Sequence, residues 1–173
     1  WGHLGPKGAA VPLDIAPLFE TVEDVERAPE IMDKLLADER YRAHLAGRGH
    51  QQIVMLGYSD SHRDGGFAAA RWSLQEAQQA LVQTAAKHGI ALTLFHGRGA
   101  TLSRSGGRMH EAVLAAPHGA IAGRLRLTEQ GETINAKYGL RGIAMRSLEQ
   151  TLSAVLLVTA RPLPEHSQEP RWR

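Results

Sequence analysis

Six residues suited to a buried strand, Ile90–Phe95, run without interruption into a loop that carries His96, Arg98 and Arg104 among glycines and serines. The apolar run is nearly continuous, which predicts a parallel strand buried on both faces. The loop sets cations beside no neighbouring carboxylate and supplies glycines where a backbone must approach another group closely. A strand feeding a cationic glycine loop is how α/β proteins build an anion site at the carboxyl end of a sheet. A solvated basic loop that binds nothing is the alternative.

The same unit recurs along the chain. Leu13–Phe19 is a first strand candidate, weakened by Pro17, which cannot donate to a ladder. Thr21 and Asp24 have capping-box spacing, so a helix is predicted from Val22 to Leu45, with Pro29 opening a second piece and Ile31, Leu35 and Leu36 as its buried stripe. Ile53–Tyr58 is a second strand, ending in the polar loop Ser59–Gly66. A helix over Phe67–His88 follows, with Phe67, Ala70, Leu74, Ala77, Leu81 and Ala85 on one face and Gly89 placed to end it. A short helix is expected at Met109–Leu114, a strand at Arg124–Thr128, and a final helix at Met145–Ala160 with a face of Met145, Leu148, Leu152, Val155 and Thr159. Residues 1–10 read as loop, and from Arg161 on the prolines and mixed charges read as a linker. The domain expectation is therefore one incomplete domain over 1–160 and a tail over 161–173.

Strand, polar loop, helix implies parallel strands with right-handed crossovers, an α/β class. Four such strands fit a small open sheet or half of an eight-stranded (β/α)8 TIM-type barrel. The barrel reading gathers Glu20, Asp60, His96, Arg98 and Glu129 at one face, since each follows a strand's carboxyl end.

Bulk properties narrow the classes of partner. The chain has 173 residues and a net charge of only +2, and aromatics make up 5%, too few to interleave with basic residues in an RNA-binding surface. Nucleic acid is therefore not the expected partner. No cysteine is present, which excludes disulfides and thiolate metal sites and fits a reducing cytoplasm. No apolar run approaches the ~20 residues of a membrane span.

Glu20 and Asp60 stand just past two apolar strands, and on neighbouring parallel strands they would share one hard divalent cation. Each could equally be an ordinary strand-end acid, with Glu20 favouring the helix behind it. Arg98 and Arg104 suit a phosphate or carboxylate clamp. His96 could donate to that anion or be a satisfied structural residue. His3, His44, His88, His118 and His166 fall in loops or helix ends and support no metal spacing.

Longer motifs go further. Val54–Gly66 (VMLGYSDSHRDGG), Leu92–Arg104 (LTLFHGRGATLSR) and Leu125–Gly139 (LRLTEQGETINAKYG) resemble phosphoenolpyruvate carboxylase, as do Asp14–Met32 and Leu140–Leu157. The register is unbroken over residues 11–173. The resemblance implies a cytoplasmic, mostly tetrameric (β/α)8-barrel enzyme that converts phosphoenolpyruvate and bicarbonate to oxaloacetate and phosphate with Mg²⁺ or Mn²⁺. By the same resemblance Glu20 and Asp60 are the metal acids, and the loop beginning at Phe95 makes His96, Arg98 and Gly99 substrate-binding. Arg98 falls on the phosphate, and Arg104 is linked to bicarbonate and carboxylation.

Several positions depart from the family pattern. Arg63 stands where the family has an active-site lysine, keeping the charge but not the compact ammonium. Ala100, Ser103 and Ser105 replace glycines that the family commonly has, Arg108 replaces a frequent proline, and Ala122 takes the place of a lysine used by aspartate-inhibited members. Family members are several times longer, with a catalytic histidine upstream and further arginines downstream. The resemblance therefore implies a middle segment of the enzyme, inactive alone. A carboxylase-like protein that binds anions without turnover is the other reading, resting on Arg63 and the altered loop.

Overall fold

The computed structural model describes residues 13–57, 67–97, 109–129 and 131–161. Four strands form one sheet: β1 (Leu18–Phe19), β2 (Gln51–Leu56), β3 (Ala91–His96) and β4 (Arg126–Leu127). They lie in chain order, β1-β2-β3-β4, and all three pairings are parallel. This is the mixed α/β class expected, with each strand beside its predecessor. β1 is far shorter than predicted: upstream of it Pro17 contributes a carbonyl to the Met55 N–H at 2.8 Å but has no N–H to return.

Helix α1 (Val22–Ala37) starts where predicted, because Thr21 and Asp24 close a capping box: Asp24 N–H donates to Thr21 Oγ1 at 3.1 Å and Thr21 N–H to Asp24 Oδ2 at 3.4 Å. The helix does not divide at Pro29 but runs through it. Val25, Ala28, Met32 and Leu36 are buried at helical spacing on both sides of the proline. At ~1.5–3 kcal/mol for each large buried side chain, that stripe outweighs the ~3 kcal/mol cost of an interior proline. Continuous phase also rotates the buried face away from the predicted one. Ile31 is exposed and Leu35 only partly buried, leaving Leu36 as the member of the predicted stripe that is fully inside. The break falls instead at Asp38, which ends α1 and caps α2 (Glu39–Gly47) by accepting from the Tyr41 N–H at 2.9 Å.

Helix α3 (Phe67–Lys87) buries Leu74, Ala77, Leu81 and Ala85, as its periodicity predicts; the side chains of Phe67 and Ala70, also assigned to that face, lie outside what is described. Gly89 ends it with φ +68°, a conformation that suits glycine. α1 and α3 pack side by side over one face of the sheet, on Phe19, Val54, Leu56 and Leu94. Lys87 and His88 both reach Asp33, at 2.8 and 2.7 Å, and tie the end of α3 to α1.

The strands are not buried on both faces. Along β2 and β3, buried Val54, Leu56 and Leu94 alternate with half-buried Ile53, Met55, Thr93 and Phe95. The continuous apolar run therefore marks a strand covered by helices on one side and only partly covered on the other.

Helix α4 (Met109–Leu114) forms as expected, and α5 (Gly131–Tyr138) is an element that the sequence reading did not anticipate. α6 (Arg141–Ala160) is longer than predicted and buries a face that shares Val155 with the predicted one but not Met145, Leu148, Leu152 or Thr159. Ala154, Val155 and Val158 join Met109, Val113 and Ile121 in a second core, while Met145, Leu148 and Leu152 are half or more exposed. The tail beyond Arg161 and residues 1–10 lie outside the described residues. Among the described residues, no helix is long and apolar enough to cross a membrane.

Candidate active site at the carboxyl end of the sheet

One residue beyond β1, β2 and β3 the chain carries Glu20, Gly57 and Gly97. The ladder continues through this tier: Gly57 N–H donates to Phe19 O at 2.7 Å, Gly97 N–H to Leu56 O at 2.9 Å, and Thr128 N–H to His96 O at 3.1 Å. Alternation places the tier on the half-open face, with Met55 and Phe95 below it. Both glycines are needed by space. A Cβ on Gly57 would stand 2.9 Å from Glu20 Cβ and Cγ, and one on Gly97 would stand 2.8 Å from Met55 Cε. The stem of Glu20 thus leans over Gly57, three residues before Asp60, and Gly97 directly precedes Arg98.

Of the residues singled out in the sequence, Glu20 and His96 are described; Asp60, Arg63, Arg98, Gly99 and Arg104 lie outside the described residues. Glu20 and His96 occupy the same end of the sheet, but alternation gives them opposite faces. His96 shares its row with Leu56 and Leu127, on the side covered by helices, and only 2% of it is exposed. Burial lowers its pKa to about 4, so the imidazole is neutral at physiological pH. It is a hydrogen-bonding group here, not a cation.

Two groups beside the tier carry charge. Arg126 lies with its guanidinium carbon 4.8 Å above the centre of the Phe95 ring, placing a cation on the half-open face. Glu129, two residues past β4, is partly buried, with its side chain largely covered, and pairs with Lys137 of α5 at 2.7 Å. Burial raises the pKa of Tyr138, and the charge of Glu129 and a hydrogen bond to it push the same way. The sequence placed Glu129 at this end, but Lys137 and Tyr138 went unnoticed because their partner lies outside the local i, i+4 pattern.

Hard oxygen donors, a cation-bearing face and backbone kept bare by glycine suit an anionic, metal-assisted substrate. Among the described residues, no cluster of three potential metal ligands is present. Glu20 is a ligand type that Mg²⁺ or Mn²⁺ accepts, and its stem is held by the gap at Gly57.

Comparison with known proteins identifies the family. The sequence model described as phosphoenolpyruvate carboxylase matches residues 2–173. The phosphoenolpyruvate carboxylase of Xanthomonas oryzae pv. oryzae is 55% identical over 172 residues, covering 99% of this chain and 19% of the relative. That of Aromatoleum aromaticum is 49% identical over 168 residues, 94% of this chain and 18% of the relative. Phosphoenolpyruvate carboxylase 2 of Chlamydomonas reinhardtii is 45% identical over 177 residues, 99% of this chain and 14% of the relative. The chain thus spans about a fifth or less of the length of these curated relatives. A match over essentially the whole chain settles the assignment: the chain belongs to the phosphoenolpyruvate carboxylase family.

Proposed function

We propose that these residues are the central part of the catalytic barrel of a phosphoenolpyruvate carboxylase, acting within a longer polypeptide. Residues 1–160 would belong to the barrel domain and 161–173 to a connecting segment. The observation that carries the reading is the tier in which Glu20 leans over Gly57 and Gly97 leads into Arg98. The sheet supports the barrel. Its strands keep chain order and are covered by α1 and α3 on one face, whereas a doubly wound sheet reverses order and carries helices on both faces. Half-buried Ile53, Met55, Thr93 and Phe95 would then point into the barrel interior, to be covered by strands from the rest of the polypeptide.

In this reading the substrates are phosphoenolpyruvate and bicarbonate, and a homotetramer in the cytoplasm is the working form. Glu20 and Asp60 would hold Mg²⁺ or Mn²⁺, which supplies positive charge next to the phosphate and the developing enolate. Arg98, with the backbone of Gly99, would bind the phosphate as bicarbonate oxygen attacks phosphorus and the enolate leaves. Arg104 would orient the resulting carboxyphosphate so that its carboxyl carbon bonds to the enolate carbon as the bond to the phosphate oxygen breaks and inorganic phosphate leaves. Arg63 would add a cation where charge builds. Neutral, buried His96 suits a positioning role, holding the strand end from which Arg98 departs.

Kinetics of the full-length enzyme test this. Arg63→Ala should lower turnover by a factor corresponding to ~2.7–4 kcal/mol, by analogy with loss of an oxyanion donor, while Arg63→Lys should match or exceed the parent. Wild-type kcat and KM in Arg63→Ala would remove Arg63 from the site. Carboxylase activity absent from the parent full-length protein would favour the second reading, a non-catalytic anion binder, which Arg63 itself motivates.

A further inference from the structure

The end of the sheet opposite the tier holds polar groups that neither the fold nor the proposed reaction uses. A cavity of about 250 Å³ opens there, lined by Asp14, His44, Arg48, Gln51 and Ile53 among others. His44, near the end of α2, is only 4% exposed. It makes no hydrogen bond to a described residue, and its ring neighbour is Tyr41, centred 5.9 Å away. The Tyr41 hydroxyl turns its proton elsewhere, donating to Gln52 Oε1 at 2.6 Å. A buried imidazole without a partner is destabilising for the fold, and such groups call for an explanation.

The surrounding charge is positive. Arg48 Nε donates to Asp14 Oδ1 at 2.8 Å, neutralising the one carboxylate in the lining. Arg124 donates to Gln51 Oε1 at 2.6 Å, which leaves this lining residue its NH₂ as the remaining donor. Arg126 is close enough to stabilise the Asp14 carboxylate as well. Arg48, and more weakly His44 and Arg126, thus act on Asp14, while Arg124 holds Gln51 beside it. The last carbonyls of α2, Leu45 and Ala46, accept from Arg48, Gly49 and His50 N–H groups, so the helix end offers an anion little repulsion.

We infer that this cavity binds a small oxyanion, a phosphate or compact carboxylate, through the imidazole N–H of His44, the Gln51 amide and the Arg48–Arg124 field. Along β2 its lining residues Ile53 and Gln51 stand roughly 13–20 Å from Gly57, at ~3.3 Å per residue, so it is distinct from the proposed active site.

Hydrogen–deuterium exchange of the 173-residue chain, titrated with inorganic phosphate, with malonate, and with chloride at matched ionic strength, tests the site. Saturable protection over residues 41–53 is expected with phosphate or malonate and none with chloride; which of the two protects at lower concentration tells phosphate from carboxylate. His44→Leu and Arg124→Gln should each weaken that protection about tenfold or more, the loss expected of a hydrogen bond to a charged group. His44→Leu should also raise the melting temperature without ligand, since an unpartnered buried polar group is replaced by an apolar one. Protection that is equal in chloride, or that survives both substitutions, overturns the site. So does a lower melting temperature in His44→Leu, which would make His44 a structural residue.

Discussion

The two faces of the sheet obey different rules. On the covered face, Phe19, Val54, Leu56 and Leu94 meet α1 and α3 and are almost wholly removed from water. On the other face Ile53, Met55, Thr93 and Phe95 keep part of their surface, and at their carboxyl end stand Glu20 and two glycines in place of apolar side chains. One face is a finished core and accounts for much of the fold's stability. The other is a partly open surface where charge, small residues and a leaning carboxylate coexist, which is where an α/β protein puts its chemistry. Residues on strands two positions apart share a face, so a single strand such as β2 serves both purposes by alternation.

That division sets the scale of what should change. The largest effect belongs to the open face as a whole. The 173-residue chain alone should yield no detectable oxaloacetate from phosphoenolpyruvate and bicarbonate, in an assay coupled to malate dehydrogenase. The half-open face lacks the residues that the proposed barrel supplies from elsewhere, and four strands leave sheet edges open. Bicarbonate-dependent product from the purified chain would show that the open face is already complete.

Next come the two faces compared directly. Leu81, 1% exposed against the covered face, should cost ~2–5 kcal/mol on truncation to alanine. Ile53→Ala on the open face should cost roughly half as much, because part of its surface is never removed from water. Urea unfolding of both variants at equal m-value gives the difference, and equal losses would erase the distinction between the faces.

A comparable effect depends on pH. His96 is buried on the covered side with its pKa lowered to about 4 from 6.5. The unfolded chain therefore binds a proton between those values that the folded chain does not, so stability is fully present above about pH 6.5 and falls as pH drops toward 4. At 1.36 kcal/mol per pH unit the loss is on the order of 3 kcal/mol. His96→Gln should flatten the urea midpoint across this range. A parent midpoint that does not move from pH 7 to 4.5 would mean the imidazole is reached by water.

How much of this was legible beforehand follows from the same geometry. The capping box at Thr21, the α3 stripe and Gly89 are local signals, and each appears where the residues alone placed it. The two misread helix faces have different causes. Assuming a break at Pro29 shifted the phase of α1, although burial on both sides of the proline keeps the helix whole. In α6 the choice of face depended on where α4 lies, which no periodicity encodes. For the candidate site, Glu20 was recognisable as an acid past a strand. The separation of His96 from it was not, since assigning His96 to the loop hid the alternation that turns its ring toward the helices. The roles of Gly57 and Gly97 emerge only once neighbouring strands are in register.

The smallest predicted effect, and the most local, concerns Gly57. Alanine there brings a methyl group to 2.9 Å from Glu20 Cβ and Cγ and 3.2 Å from its Cα. Cγ can rotate aside, but Cβ is fixed to a backbone held by the Phe19–Gly57 bond at 2.7 Å, so the strand end must yield by a few tenths of an ångström and the carboxylate moves with it. Because a methyl group is added on the open face, the covered core should be untouched. Gly57→Ala should therefore lower stability in urea by only about 1 kcal/mol, the low end for a methyl group inserted where space is short. In the full-length enzyme it should weaken Mg²⁺ activation by about 10–100-fold, the loss typical when a group that orients a metal ligand is disturbed. Raising Mg²⁺ should restore much of the rate, since the ligand is displaced and not removed. Glu20→Gln, which removes the charge itself, should not be rescued in this way. If Gly57→Ala keeps the parent's Mg²⁺ dependence, the lean of Glu20 over Gly57 is a packing feature of the strand end and has no part in holding a metal.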